Sequence, residues 1–209
     1  STASSFMIYP DRTIYGVTRN TSGSPTTSQI YLINTNNTAA GNGALTQVSG
    51  ARLFSTSDND VTTSLAKHPS NGHIYYVDDQ GTSAGRLRVW NPALGPNDGF
   101  TNRGNLSITS GGNIYSFNDF PARLEFNNFP TAGGPVLYAA AARKTQDSAP
   151  TLSGFYRITG AVSGTPTAEE VKLTLGGNDF PLSNSGDLVF ETTTGILYIT
   201  DENRLFRST

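Results

Sequence analysis

One short phrase is repeated in this chain at a near-constant interval. Asn-Asp-Phe-Pro occupies residues 118–121 and again residues 178–181, and a degenerate form, Asn-Asp-Val-Thr, occupies residues 59–62. Repetition at an interval of several tens of residues is typical of tandem arrays, in which one supersecondary unit recurs along the chain. The spacing therefore predicts a repeat protein, whose fold depends on which unit is repeated and how many copies are present.

A second series of residues follows the same interval. Tyrosines at positions 15, 75, 138 and 198 each follow a β-branched residue or Leu and each lie in a short apolar run preceded by turn residues such as Gly and Pro. A strand is predicted before each turn, at residues 5–9, 64–67, 123–126 and 187–190. A third strand is predicted at 29–33, 86–90, 155–158 and 204–207, and a fourth at 44–48, 104–108 and 171–175. The last unit stops without a fourth strand.

The predicted fold class is all-β, built from four-stranded antiparallel meanders. The second and third strands carry apolar residues on both faces, and a sheet that is apolar on both sides has to be covered by neighbouring sheets. Radial stacking of such sheets gives a β-propeller. The sequence therefore predicts one β-propeller domain over residues 1–209 with about four blades, at 1–50, 51–110, 111–176 and 177–209, the last of them incomplete. A two-layer β-sandwich is the alternative.

Composition excludes several classes of function. Only 14% of the 209 residues are charged, the formal net charge is −2, and no basic run occurs, so nothing in the chain attracts nucleic acid or an anionic membrane. The absence of cysteine excludes disulfides, thiolate metal sites and a Cys nucleophile. We find no apolar run long enough for a membrane span and no signal peptide, so an exported protein would be present here in its mature form.

The apolar runs resemble a known repeat. Ile14-Tyr15-Gly16-Val17, Ile74-Tyr75-Tyr76-Val77-Asp78 and Ile196-Leu197-Tyr198-Ile199-Thr200-Asp201 are similar to the "LYGID" blades of bacterial secreted and surface-anchored β-propellers. The resemblance covers nearly the whole chain. It implies an extracytoplasmic module that is adhesive or structural and usually not an enzyme. It brings no catalytic residues with it, because the same blade pattern serves many functions.

The repeated phrase is the first candidate site. In a propeller it would lie at the junction between blades, and aspartates from three consecutive blades would point toward one axis. Converging carboxylates and amides could bind Ca²⁺ or the hydroxyl groups of a sugar. The alternative is that each Asp caps its own turn by accepting backbone N–H groups. The residues concerned are Asn59, Asp60, Asn118, Asp119, Asn178 and Asp179.

Two further candidates follow the second strand of a unit or flank its turn. Asp78, Asp79 and Asp201 offer closely spaced oxygen ligands that could bind Ca²⁺, but their spacing is not that of an EF-hand, which favours solvated turns. His68 and His73 flank one predicted hairpin turn without an evident third metal ligand, which predicts surface positions.

The function predicted from these observations is a non-catalytic, extracellular or cell-surface module for adhesion or structural assembly. The incomplete last unit predicts an open sheet edge, and such an edge accepts a strand from a protein partner or a neighbouring subunit. A carbohydrate-binding lectin is one alternative. A glycan-active hydrolase or lyase that uses aspartates at the channel mouth is another. No cofactor is predicted apart from Ca²⁺.

Overall fold

The structure is a computed structural model. It describes residues 3–8, 14–20, 27–33, 45–47, 62, 64–78, 85–95, 98–116, 123–129, 134–140, 152–180, 182, 187–201 and 204–208. Within these ranges the regular elements are β-strands and one short 3-10 turn, so the all-β prediction is confirmed. The strands form several open, mainly antiparallel sheets, which we number in chain order, and none of them closes into a barrel.

The first sheet is the four-stranded antiparallel meander that the sequence predicts. Its order follows the chain, and Tyr15 lies opposite Leu32 in the pairing of the two central strands. The strands are β1 (Ala3–Ile8), β2 (Ile14–Asn20), β3 (Thr27–Ile33) and β4 (Leu45–Gln47).

The second sheet is also a four-stranded meander, but its last strand begins earlier than predicted. The strands are β5 (Ala66–Lys67), β6 (Ile74–Asp78), β7 (Arg86–Trp90) and β8 (Phe100–Asn105). A 3-10 turn at Pro92–Leu94, capped by Asn91, reverses the chain after β7 and brings Phe100 opposite Trp90. The two rings stack with centroids 5.8 Å apart. The prediction of a fourth strand at 104–108 is therefore wrong for residues 107–108.

The third sheet has six strands because a preceding hairpin joins it. Its strands are β9 (Ser107–Ser110), β10 (Asn113–Ser116), β11 (Arg123–Asn127), β12 (Val136–Ala140), β13 (Phe155–Thr159) and β14 (Thr167–Glu170), in the order β10-β9-β14-β13-β12-β11. β9 runs parallel to β14 and lies on its outer side. Residues 171–175 are not the fourth strand that the sequence predicts for this unit, because β14 fills that position and Val171 and Leu173 pack against the core of the next sheet; only Thr174 and Leu175 are extended, in a separate hairpin.

A small hairpin and a three-stranded sheet complete the described chain. β15 (Thr174–Leu175) and β16 (Asn178–Asp179) are joined through Gly176 and Gly177, whose φ values of +59° and +83° suit a two-residue hairpin turn. The fourth sheet contains β17 (Leu188–Phe190), β18 (Leu197–Asp201) and β19 (Arg204–Arg207), in that order. Three strands are what the sequence predicts for the last unit.

Each sheet packs on the next in chain order. Val17 and Ile30 of the first sheet share a core with residues of the second, and the second and third sheets share another. Ala140 and Phe155 of the third sheet pack with the inner side chains of the fourth. The second and third sheets are therefore apolar on both faces, as the sequence pattern predicts, and each is covered on both sides.

Three of the four repeated tyrosines occupy these sheet-to-sheet contacts. Tyr75 lies edge-on to Phe126 with ring centroids 5.1 Å apart, and Tyr138 lies 4.8 Å from Phe190. At the first interface the Nζ atom of Lys67 lies 5.9 Å from the centre of the Tyr15 ring. Lys67, Phe126 and Phe190 hold equivalent places, because each lies in the first strand of its sheet, opposite the residue before the tyrosine.

Candidate functional site

Of the repeated phrase, the structure describes one copy. Asn178 and Asp179 form β16, opposite Leu175 and Thr174, and both residues are exposed. Asn59, Asp60, Asn118 and Asp119 lie outside the described residues. The convergence of three aspartates on one axis therefore stays a prediction, and Asp179 is placed on a hairpin between the third and fourth sheets.

Asp78 is fully buried, and its carboxylate is held by two guanidinium groups. Arg86 forms a bidentate pair with it, donating from Nε to Oδ1 at 3.1 Å and from Nη2 to Oδ2 at 2.9 Å. Arg88, also buried, donates from Nε to Oδ2 at 2.7 Å, and the backbone N–H of Arg86 donates to Oδ1. Charge-assisted bonds of this kind orient both partners tightly. The expectation of a solvated turn is wrong for Asp78.

Asp201 repeats this arrangement in the fourth sheet. It is 2% exposed, and it lies opposite Arg204 as Asp78 lies opposite Arg86. Its carboxylate lies 3.8 Å from Nη2 of Arg204 and 3.5 Å from Nη2 of Arg123, which comes from the third sheet. The solvated-turn expectation is therefore wrong for Asp201 as well, because its carboxylate joins two sheets.

The arginine contacts of Asp78 and Asp201 do not favour the calcium site predicted at Asp78, Asp79 and Asp201. Asp79 lies outside the described residues. In the described part of the chain, no cluster of three or more His, Cys, Asp or Glu residues could hold a metal ion. At both described aspartates the counter-charge comes from arginine, so a cation bound there would face guanidinium groups. Calcium binding stays a prediction, and the geometry favours a structural role.

His68 is a buried turn residue rather than the surface residue that the sequence predicts. Its Nδ1 atom accepts the backbone N–H groups of Ser70 and Asn71 at 3.2 and 3.3 Å. Its ring lies edge-on to Phe126 of the third sheet, with centroids 4.9 Å apart. Burial, followed by the nearby His73, lowers the pKa of His68, which favours the neutral ring that the two accepted bonds require.

Glu125, an acidic residue between the third and fourth sheets, is not among the site residues that the sequence predicts. Burial and then the charge of Asp187 raise the pKa of Glu125, in the middle of β11, to about 7, against the opposing backbone hydrogen bond at Phe126. Partial desolvation of its carboxyl group also raises the pKa of Asp187, and the backbone hydrogen bond from Leu188 and then the charge of Arg123 oppose the change. Alternation along β11, which turns Leu124 and Phe126 to the second sheet and Glu125 to the fourth, was the signal available in the sequence.

The outer edge of the fourth sheet is an exposed feature with binding capacity. Because the N–H of Ser208 donates to the carbonyl of Leu197, alternation along β19 directs the backbone groups of Leu205 and Arg207 away from β18. Leu205 is 68% exposed. In the described part of the chain no strand pairs with this side of β19.

A cavity adjoins this edge. It has a volume of about 530 Å³ and lies between the β15–β16 hairpin and strands β18 and β19. Leu173, Leu175, Phe180 and Phe206 supply apolar walls, and Lys172 supplies positive charge. The guanidinium group of Arg204 lies over the Phe180 and Phe206 rings, 5.6 and 5.2 Å from their centres. The edge and the cavity together form an apolar, basic surface.

Comparison of the chain with models of known protein families and with curated proteins gave no match. Within the described ranges, no helix has the length and hydropathy needed to cross a membrane.

Proposed function

We propose that this chain is a non-catalytic β-propeller-type module that works outside the cell or at its surface, in adhesion or structural assembly. It recruits a partner by accepting a strand at the outer edge of the fourth sheet. Serial packing of the sheets in chain order and the recurrence of the tyrosine contact support the propeller arrangement. The resemblance of the strands to secreted propeller blades supports the location.

The open edge of β19 is the observation on which the proposal depends. The backbone groups of Leu205 and Arg207 face away from the sheet, and the first three sheets all have at least one further strand at the corresponding place. An edge with free donors and acceptors is a template for pairing with another segment. Backbone bonds then provide affinity, and alternate side chains provide specificity.

The third sheet indicates the chemistry of the strand that fits. Arg157 lies opposite Tyr138, and its Nε atom donates to Glu169 of the fourth strand at 3.0 Å. Arg207 lies opposite Tyr198 at the equivalent place in the fourth sheet. An added strand that places a carboxylate opposite Arg207 would repeat this pair. Opposite-charge pairs across strands stabilise a sheet, whereas like charges directly opposite destabilise it.

The chain supplies its own probe for the test. A synthetic peptide with the sequence of residues 166–171 carries the acidic β14 strand, and a matched control peptide replaces the glutamate that corresponds to Glu169 by lysine. We expect the first peptide to slow amide hydrogen exchange at Leu205 and Arg207, with a dissociation constant on the order of 1 mM for so short a strand. The control peptide should bind more weakly.

A charge reversal separates strand addition from nonspecific attraction. In the Arg207→Glu variant we expect the preference to invert, so that the lysine peptide protects Leu205 better than the glutamate peptide. Equal protection by both peptides in both proteins would contradict the acidic-strand requirement. Exchange at Leu205 and Arg207 that neither peptide alters would contradict strand addition itself.

A further inference from the structure

The two end faces of the sheet stack are the unmatched halves of one repeated interface. We call the face of a sheet that carries its repeated tyrosine the tyrosine face. At each internal interface the tyrosine face of one sheet packs against the opposite face of the next sheet. The residue just before the next sheet's tyrosine is buried in that contact. Those residues are Ile74, Leu137 and Leu197, at 0%, 0% and 7% exposure. The pattern runs in one direction along the chain, so it leaves a tyrosine face at one end and its complement at the other.

The tyrosine face at the end of the stack belongs to the fourth sheet. Register places Val189, Tyr198 and Arg207 side by side across the three strands, with Thr200 opposite Leu205 next to them. The apolar members are uncovered, since Val189 is 56% and Leu205 68% exposed. The equivalent of Leu205 in the third sheet is Phe155, which is 2% exposed because the fourth sheet covers it.

The complementary face belongs to the first sheet. Val17 and Ile30 face the second sheet, so alternation turns Ile14, Tyr31 and Ile33 to the far side. Ile14 is the residue before Tyr15 and so corresponds to Ile74, Leu137 and Leu197, but it is only partly buried. The far side of the first sheet therefore carries the apolar residues that a tyrosine face receives elsewhere in this chain.

We propose that the tyrosine face of the fourth sheet binds the far face of the first sheet of a second copy of this chain, which continues the internal stack from one molecule to the next. The contact is head-to-tail, and contacts of that kind form rings or filaments rather than closed two-fold dimers. It goes beyond the proposed function, because it uses the face of the fourth sheet and needs no strand at the edge of β19. The second copy is the occupant that the structure supports, since both halves of the interface are present in one chain and the exposure of Val189 and Leu205 shows that they do not meet within it.

Sedimentation of two complementary variants tests the proposal. Val189→Lys places a charge in the tyrosine face and leaves the first sheet intact, whereas Ile33→Lys does the reverse. We expect the unchanged protein to form a concentration-dependent series of oligomers between about 1 µM and 1 mM, a range that includes weak protein interfaces. Each variant alone should sediment as a monomer, and an equal mixture should form a 1:1 dimer and nothing larger.

The controls keep a failure informative. Ile114→Lys alters a residue that is 74% exposed on β10, outside both faces, and should associate like the unchanged protein. Circular dichroism and urea unfolding establish that each variant is folded, and a variant that unfolds is replaced by Leu205→Lys or Tyr31→Lys. A protein that stays monomeric at every concentration, or a mixture of the two variants that stays monomeric, overturns the proposal. Peptide binding at Leu205 and Arg207 in the Val189→Lys variant tests the strand-addition function separately.

Discussion

The ring of Tyr138 lies 4.8 Å from the ring of Phe190, which joins the third sheet to the fourth. The same register position gives the contact between Tyr75 and Phe126, with ring centroids 5.1 Å apart. A residue that looks like a simple marker of repetition in the sequence is thus the contact between neighbouring sheets. Its fourth copy, Tyr198, is partly buried and lies on the end face where Val189 and Leu205 are exposed.

The tyrosines should therefore differ in their contribution to stability. Tyr75 is 2% exposed, and Tyr75→Ala would leave a cavity between the second and third sheets. We expect it to lower the free energy of unfolding by about 3–5 kcal/mol, whereas Tyr198→Ala should cost the dilute monomer about 1 kcal/mol or less. Urea unfolding at low protein concentration measures both. Equal losses for the two variants would contradict the assignment of Tyr198 to an open face.

Much of the fold could be predicted from the sequence because its determinants are local. Alternation, turn residues and the tyrosine spacing locate the first three strands of each unit. The fourth strands of the second and third units are misplaced by the sequence pattern, because their pairing depends on contacts that periodicity does not show. The turn capped by Asn91 starts β8 at Phe100, and β13 pairs with residues 167–170 while the more apolar Val171 and Leu173 pack against the core of the fourth sheet.

The site was harder to predict than the strands. Asp78 and Asp201 were recognised as equivalent, but their partners Arg86, Arg88 and Arg123 become visible only when register brings the strands together. Polar residues after a predicted strand indicate a turn, and turns are usually solvated. The local sequence therefore predicts that both carboxylates lie in water. Glu125 was missed for the same reason.

The buried carboxylate of Asp78 predicts a large loss of stability when its charge is removed and no stabilisation by calcium. Asp78→Asn would leave the charges of Arg86 and Arg88 without their carboxylate in a buried site, and removing one partner of such a pair costs about 3–5 kcal/mol. Asp98→Asn, at an exposed turn, should change stability by less than about 0.5 kcal/mol. Neither Ca²⁺ nor a chelator should shift the unfolding midpoint of the unchanged protein. A Ca²⁺-dependent rise that Asp79→Asn abolishes would instead support a calcium site.

Glu125 predicts that stability falls as the pH rises. Its folded pKa of about 7 lies above the ordinary carboxyl value, so the folded state binds more protons than the unfolded state between about pH 4.5 and pH 7. Stability is therefore highest at the low end of that window, and the loss by pH 8 is at most about 3 kcal/mol. We expect Glu125→Gln to remove most of this loss in urea unfolding across the pH series. An unchanged slope in the variant would assign the effect to other groups.

His68 predicts the opposite trend at lower pH. Its folded pKa is lowered, so stability is present above the unfolded value of about 6.5 and is lost as the pH falls below it. Protonation would turn Nδ1 into a donor and break the bonds from Ser70 and Asn71. NMR titration of the two histidines measures this directly. A ring that titrates at or above the ordinary value would contradict the buried acceptor.

Gly195 tests the contact between the turn of the fourth sheet and the third. Its φ is +73°, and a Cβ atom there would lie 2.9–3.1 Å from side-chain atoms of Phe129. Gly195→Ala should therefore cost about 1–3 kcal/mol, from backbone strain and displacement of the ring. Gly164→Ala is the matched control, because φ is +89° there and no neighbouring atom lies within 4 Å. A cost no larger than that of the control would show that Phe129 moves aside freely.

The repeated aspartates allow the lectin and hydrolase alternatives to be tested. Asp179 is exposed on β16, so Asp179→Asn alone should leave the unfolding midpoint unchanged. The triple variant Asp60→Asn, Asp119→Asn and Asp179→Asn is compared with the unchanged protein for stability and, separately, for binding to a glycan array. Loss of stability supports the turn role. Retained stability with lost glycan binding would indicate that the chain is a sugar-binding module and not an assembly module.

The central claim is that each repeated tyrosine lies on the sheet face that packs against the next sheet, and that the last copy, Tyr198, lies on such a face with no described sheet packed against it. The fluorescence emission of a tryptophan substituted for Tyr198 tests this claim most directly. In Tyr198→Trp the new indole adds to the constant signal of the buried Trp90. We predict that its emission shifts to shorter wavelength as protein concentration rises, as the ring leaves water, and that Val189→Lys abolishes the shift. Emission that does not shift while the protein associates would contradict the account.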